Sequence, residues 1–151
     1  MLLFESSLAL LSVLAATIRG MPWNLVNRLS GWRVHWALTG RGGLCRWHDR
    51  SIILDPGMPW VRERCVLAHE AHHALRGPFP RWLQSREEEA VSRAAARYLI
   101  PFPKLLDAVA WSRDPHEVAD ELDVDLPTLE ARVRGLHPSE RAALVRKLDD
   151  L

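Results

Sequence analysis

The chain has 151 residues, 48% of them hydrophobic and 26% charged, with a net charge of +1. That length and apolar content suffice for one compact domain with a real core. The near-neutral balance excludes the strong electrostatic footprint of a dedicated nucleic-acid binder. The two cysteines, Cys45 and Cys65, have no paired metal-ligand spacing, which points to a reducing, cytoplasmic setting without a disulfide framework.

Near the start, Leu8 to Ile18 (LALLSVLAATI) is an apolar run too short to span a bilayer as a helix. It lacks the basic residues that precede the apolar part of a secretory signal. Residues 1–20 read either as a short core-packing helix or, by slight preference, as an extension ahead of a fold that begins near Met21. No membrane partner is expected.

Trp23, Val26 and Leu29 recur at helical spacing, which predicts a short amphipathic helix over Pro22 to Leu29. Trp32 to Leu38 alternates apolar and polar residues, the period of a half-buried strand. Gly40-Arg41-Gly42-Gly43 signals a turn, and Leu44 to Trp47 reads as a returning strand. After His48-Asp49-Arg50, Ser51 to Leu54 reads as a third strand, closed by Asp55-Pro56-Gly57. The first half is therefore expected to be a small antiparallel sheet of about three strands. His35 and His48 read as strand or turn residues at the surface and not as ligands.

A helix from about Val61 to Arg76 follows, carrying His69-Glu70-Ala71-His72-His73. Positions i and i+4 of a helix share a face, so His69 and His73 can reach one divalent ion. Glu70 lies beside that face, where it can accept a proton from an activated water without being a ligand. The motif sits among Val66, Leu67, Ala68, Ala74 and Leu75, where buried polar groups need partners. His72 could share a face with His69 too, but reads as a neighbour that packs or titrates.

Gly77-Pro78 stops this helix, and another is predicted from Trp82 or Arg86 to Ile100, ended by Pro101. A catalytic zinc commonly takes a third protein ligand and leaves one position open. Glu87, Glu88 and Glu89 are the nearby acidic cluster, although glutamates at a helix start also serve the dipole and solvent. Periodicity favours Glu88 only weakly, because its stripe of Val91, Ala95 and Leu99 is nearly matched from Glu89 and Glu87.

HEAHH followed by EEEAVSRAAARYLIP resembles the ImmA/IrrE family of metallopeptidases, as does the approach segment SIILDPGMPWVRERCVLAHE. Anchoring on Ala95 to Pro101, the resemblance implies zinc ligands His69, His73 and Glu88, with Glu70 as general base. The family's aspartate falls on Ser92 and its aromatic on Ala94, and Glu89 stays open as an alternative third ligand. The family likeness implies a zincin-like endopeptidase that cleaves a helix-turn-helix repressor controlling phage or mobile-element genes. Tyr98, His72 and Arg97 are candidate oxyanion stabilisers by residue type alone.

The last third is expected to be helical. Lys104 to Trp111 continues the helical period. Asp114-Pro115-His116-Glu117 has the form of a helix start, and helices also open near Pro127 and Pro138. Helix, short turn, helix over this stretch resembles a helix-turn-helix unit. Its second helix offers only Arg132 and Arg134 as basic residues, which favours a packing role over DNA reading. The expectation is an α+β fold: a metallopeptidase-like core over residues 21–103, with the small antiparallel sheet on the zinc-bearing helix, then a helical part over 104–151. A different class of function stays open, a non-catalytic regulator that binds a repressor, or less readily DNA, through its helical part and carries a structural metal.

Overall fold

The computed structural model describes residues 20–150, so the Leu8 to Ile18 run lies outside the described residues. The fold is α+β. In chain order the elements are α1 (Trp23–Val26), β1 (Arg33–Trp36), β2 (Gly43–Arg46), β3 (Ser51–Leu54), α2 (Trp60–Arg76), α3 (Gln84–Leu99), α4 (Phe102–Trp111), α5 (Pro115–Glu121), α6 (Leu126–Arg134) and α7 (Pro138–Asp149), with a 3-10 turn, Arg81–Leu83, leading into α3. Among the described residues no helix is long and apolar enough to cross a membrane.

The strands fall where hydrophobic patterning puts them, but the sheet is mixed and not antiparallel throughout. Its order is β1-β3-β2, with β2 antiparallel to β3 and β1 parallel to it. Burial explains the order. All four residues of β3 are buried, whereas β1 is mostly exposed, and a strand buried on both faces belongs in the middle of a sheet. The chain leaves β1, crosses the end of β3 and returns as β2, so no β1–β2 hairpin forms at Gly40 to Gly43. Asp55, the first residue beyond β3, clamps that crossing. Its carboxylate accepts hydrogen bonds from the Thr39 N–H (2.5 Å), the Thr39 hydroxyl (2.6 Å) and the Gly42 N–H (2.9 Å). Those bonds, the Thr39 hydroxyl's first, hold the Asp55 carboxyl below the usual range.

Helix α2 packs on β2 and β3 through a face that includes Leu67, Ala68 and Ala71, each fully buried. It ends at Gly77, whose positive φ of 84° favours glycine and whose N–H returns to the His73 carbonyl at 3.0 Å. The prolines at 78 and 80 then force a break, and α3 doubles back against α2, burying Val91, Ala95, Ala96 and Leu99.

The remaining helices continue the same apolar core, with Leu105, Val118, Leu122, Leu129 and Leu136 joining Ile52, Leu54 and Leu67 in one cluster. Asp114 caps α5 by accepting the His116 N–H at 2.8 Å, while Glu117 turns its carboxylate to the Ser112 hydroxyl. Asp125 caps α6, and His137 caps α7 in a reciprocal box with Glu140. Helix α6 packs on α3, and Arg132 fastens it there. Only 2% exposed, Arg132 donates from Nε to the Ile100 carbonyl (2.9 Å) and grips Glu140 through Nη1 (3.2 Å) and Nη2 (2.9 Å). One of the two basic residues that α6 could have offered to a phosphate is thus enclosed.

The Arg132 guanidinium holds the Glu140 carboxyl down at about 2, against the opposing effect of burial. Glu140→Gln should therefore lower stability by about 3 kcal/mol in urea at neutral pH, because it leaves a buried guanidinium without its counter-charge. A carboxyl with a depressed pKa contributes fully above its unfolded value of about 4.3 and loses that contribution as pH falls through its folded value. The stability gap between wild type and Glu140→Gln should close between about pH 4.3 and 2. A gap that stays constant across that window would contradict the pairing.

Candidate metal centre

Helix α2 places His69 and His73 one turn apart, and α3 brings Glu88 across to them. The His69 and His73 Nε2 atoms are 3.2 Å apart. The Glu88 carboxylate spans both, with Oε2 at 3.0 Å from His69 Nε2 and Oε1 at 3.2 Å from His73 Nε2. One donor atom from each of the three lies within 4.8 Å of the others. Two imidazole nitrogens and a carboxylate oxygen aimed at one point would otherwise have to share protons, and a single cation satisfies all three. The arrangement is a possible metal-binding triad. Its donor set suits zinc but does not by itself select among divalent first-row ions.

The three neighbouring glutamates have separate partners. Glu87 takes both Nε (2.8 Å) and Nη2 (3.0 Å) of Arg76, tying the end of α2 to the start of α3. Glu89 faces Arg93 at 3.8 Å on its own helix. Only Glu88 meets the histidines. The register that periodicity preferred weakly is the one that the α2–α3 packing produces.

Glu70 lines the same cleft as the triad. Burial, reinforced by the neighbouring Glu88 charge, pushes its carboxyl up to about 7, while a hydrogen bond from the Cys45 backbone N–H opposes the rise. The approach of β2 that allows this bond depends on Gly43: a Cβ there would stand 2.4 Å from Val66 Cγ1 and 2.9 Å from Glu70 Cγ. Burial also holds His69 below its ordinary value, with the adjacent His73 adding to the effect. Burial, then the charge of Glu70, drives the Cys45 thiol up to about 12, and burial raises Cys65 as well. Both free thiols line the cleft in their protonated form, which suits neither a thiolate ligand nor a nucleophile.

His73 is the most enclosed member of the triad, 5% exposed. Its ring stacks on Phe79 with centroids 6.0 Å apart and meets the edge of Trp47 at 6.2 Å, while Trp47 Nε1 donates to the His73 carbonyl at 3.1 Å. These aromatic walls hold the imidazole in place, and Ser92 lines the cleft one turn after Glu88.

Other candidates fall elsewhere. His35 lies exposed on β1, and His48 is exposed in the β2–β3 turn, 3.9 Å from Asp49. His72 turns away from the triad, donating from Nδ1 to the Ala68 carbonyl at 2.8 Å and meeting the edge of Tyr98. Tyr98 lines a separate hollow with Arg64 and Lys104, and Arg97 donates to the Gly135 carbonyl at 3.0 Å. None of Tyr98, His72 and Arg97 lines the cleft that holds the triad, so their candidacy as oxyanion stabilisers is corrected. Sequence reasoning missed the cleft's other walls: Trp47, Phe79, Gln84 and, from α6, Pro127, Thr128 and Ala131. The lone tryptophan after β2 was a weak signal for the first, and no local pattern announced the α6 wall.

Comparison with protein-family models, with curated proteins and with solved structures gives no match for this chain.

The division of labour among the glutamates makes a sharp expectation. Glu88→Ala should weaken zinc binding by more than about a hundredfold, beyond what loss of an outer-shell partner typically does. Glu89→Ala should leave it within a few-fold. Competitive titration with a chromophoric chelator measures both, and the reverse order would place the third ligand on Glu89.

Proposed function

We propose that the protein is a zinc-dependent endopeptidase in which His69, His73 and Glu88 hold the metal and Glu70 is the general base. The observation that carries this reading is the convergence of two imidazoles and one carboxylate beside a second, buried carboxylate that is not needed as a ligand. Their cleft is open to solvent, with a volume of about 520 Å³.

When bound, zinc supplies a lowered water pKa and a polarised peptide carbonyl. The chain's own residues do the rest. Glu70 accepts the proton of the attacking water and delivers it to the leaving amine, a role that calls for a carboxyl able to gain and lose a proton near neutral pH. The Cys45 N–H holds this carboxylate against β2 and so orients it. Glu88 and the aromatic walls around His73 keep the two imidazoles convergent.

The resemblance of HEAHH and EEEAVSRAAARYLIP to ImmA/IrrE metallopeptidases supports a cytoplasmic enzyme whose substrate is a DNA-binding repressor of phage or mobile-element genes. In the other class of function, the helical part binds a repressor and the metal is structural. Helix α6 forms part of the cleft wall in either case.

Glu70→Gln separates the two. It should retain one zinc per chain and lose cleavage by about a thousandfold, within the usual range for loss of a general base. Metal analysis with a cleavage assay on a candidate repressor reads both. Equal cleavage by the two proteins would remove Glu70 from its role, and full regulatory effect of the variant in cells would favour the binding protein.

A further inference from the structure

The same cleft carries a second polar feature that the metal chemistry does not use. Arg41 and Arg62 both line it. Arg62 is satisfied, with Nη1 at 2.6 Å from Asp125 Oδ2. Arg41 is not. Its backbone N–H donates to the Thr39 hydroxyl oxygen at 3.1 Å, but among the described residues its guanidinium makes no hydrogen bond or ion pair.

An exposed arginine is ordinarily just solvated, and two observations set this one apart. Its loop is fixed: Asp55 takes the Thr39 N–H, the Thr39 hydroxyl and the Gly42 N–H, so the backbone is pinned on both sides of Arg41. The loop also rests against Arg62, since a Cβ on Gly42 would stand 3.9 Å from Arg62 Nη2. Asp125 takes the Arg62 guanidinium, so of the two arginines that line the cleft Arg41 is the one left without a partner among the described residues, on a rigid support. A guanidinium fork is matched by a carboxylate.

We propose that Arg41 is a specificity-determining residue that receives a carboxylate of the substrate chain, either an Asp or Glu side chain or a chain terminus. This rests on the peptidase reading above. Arg41 and the triad line one cleft, so the carboxylate and the scissile bond belong to the same bound stretch of chain. Asp55 is a positioning residue for this subsite, acting through the loop.

Matched peptides test it. A cleavable core is first taken from a random peptide mixture, and the positions flanking the cut are then made Asp, Asn or Lys in turn, each with a free or an amidated C-terminus. Cleavage is measured with wild type, Arg41→Gln, Arg41→Lys and Arg41→Glu, and binding of the same labelled peptides is measured by anisotropy on zinc-loaded Glu70→Gln with and without Arg41→Gln. Wild type should favour the carboxylate over its amide by about tenfold in kcat/KM, mainly through KM. That ratio should fall towards one in Arg41→Gln, return in part in Arg41→Lys, and invert in favour of Lys in Arg41→Glu. Dependence on Asp against Asn assigns the carboxylate to a side chain, and dependence on amidation assigns it to a terminus. A preference that is absent in wild type, or that survives Arg41→Gln, overturns the subsite. If no peptide is cleaved the peptidase reading fails, while the binding measurements still decide whether Arg41 selects a carboxylate.

Discussion

Gathering two carboxylates and two imidazoles, one of them buried, between packed helices is the constraint from which the rest of this structure follows. The Glu88 charge adds to the cost of ionising Glu70, and His69 and His73 aim their Nε2 atoms at the same point. Such a cluster persists in an apolar setting only if each member has a partner in fixed geometry. The fold meets that requirement from several directions. Arg76 and Glu87 lock the α2–α3 corner, Gly43 lets the edge of β2 close on Glu70, and Trp47 and Phe79 enclose His73. A three-donor site that could take a cation follows from those positions, and Glu70 lines the same cleft without being one of the three donors.

The helical third of the chain belongs to the same construction. Arg62 and Arg64 of α2 reach Asp125 and the Asp123 carbonyl, at the turn between α5 and α6. Arg132 and Glu140 fix α6 and α7 to the end of α3. One face of α6 is occupied as a wall of the cleft, and its most buried cation, Arg132, is paired.

Much of the site was legible in the residues themselves. The i, i+4 histidines and the intervening glutamate sit on one helix, so their relation depends only on helical geometry and holds in any tertiary context. Asp114 as a cap, and the prolines at 127 and 138, marked helix starts for the same local reason. Glu88 was less secure, because three adjacent glutamates differ by about 100° around a helix and their apolar stripes were nearly equal. The packing angle of α3 on α2 and the competing bonds to Arg76 and Arg93 separated them. The sheet was misjudged in order. Alternation in Trp32 to Leu38 and the glycines at 40, 42 and 43 suggested a hairpin, yet the fully buried β3 took the central place and Asp55 tied the crossing loop over its end.

By itself, then, the sequence determined the helix that presents His69, Glu70 and His73, the helix that presents a glutamate to it, and the apolar periods that bury both. Only the tertiary structure decided which glutamate arrives, what encloses His73, that α6 closes one side of the cleft, and that the Arg41 guanidinium stands in it without a partner among the described residues. The division has a physical cause. Helical spacing and capping are set within a few residues of the chain, whereas strand order, helix-on-helix register and the walls of a cavity arise from contacts between segments far apart in sequence, where near-equal local alternatives are resolved by burial and charge pairing.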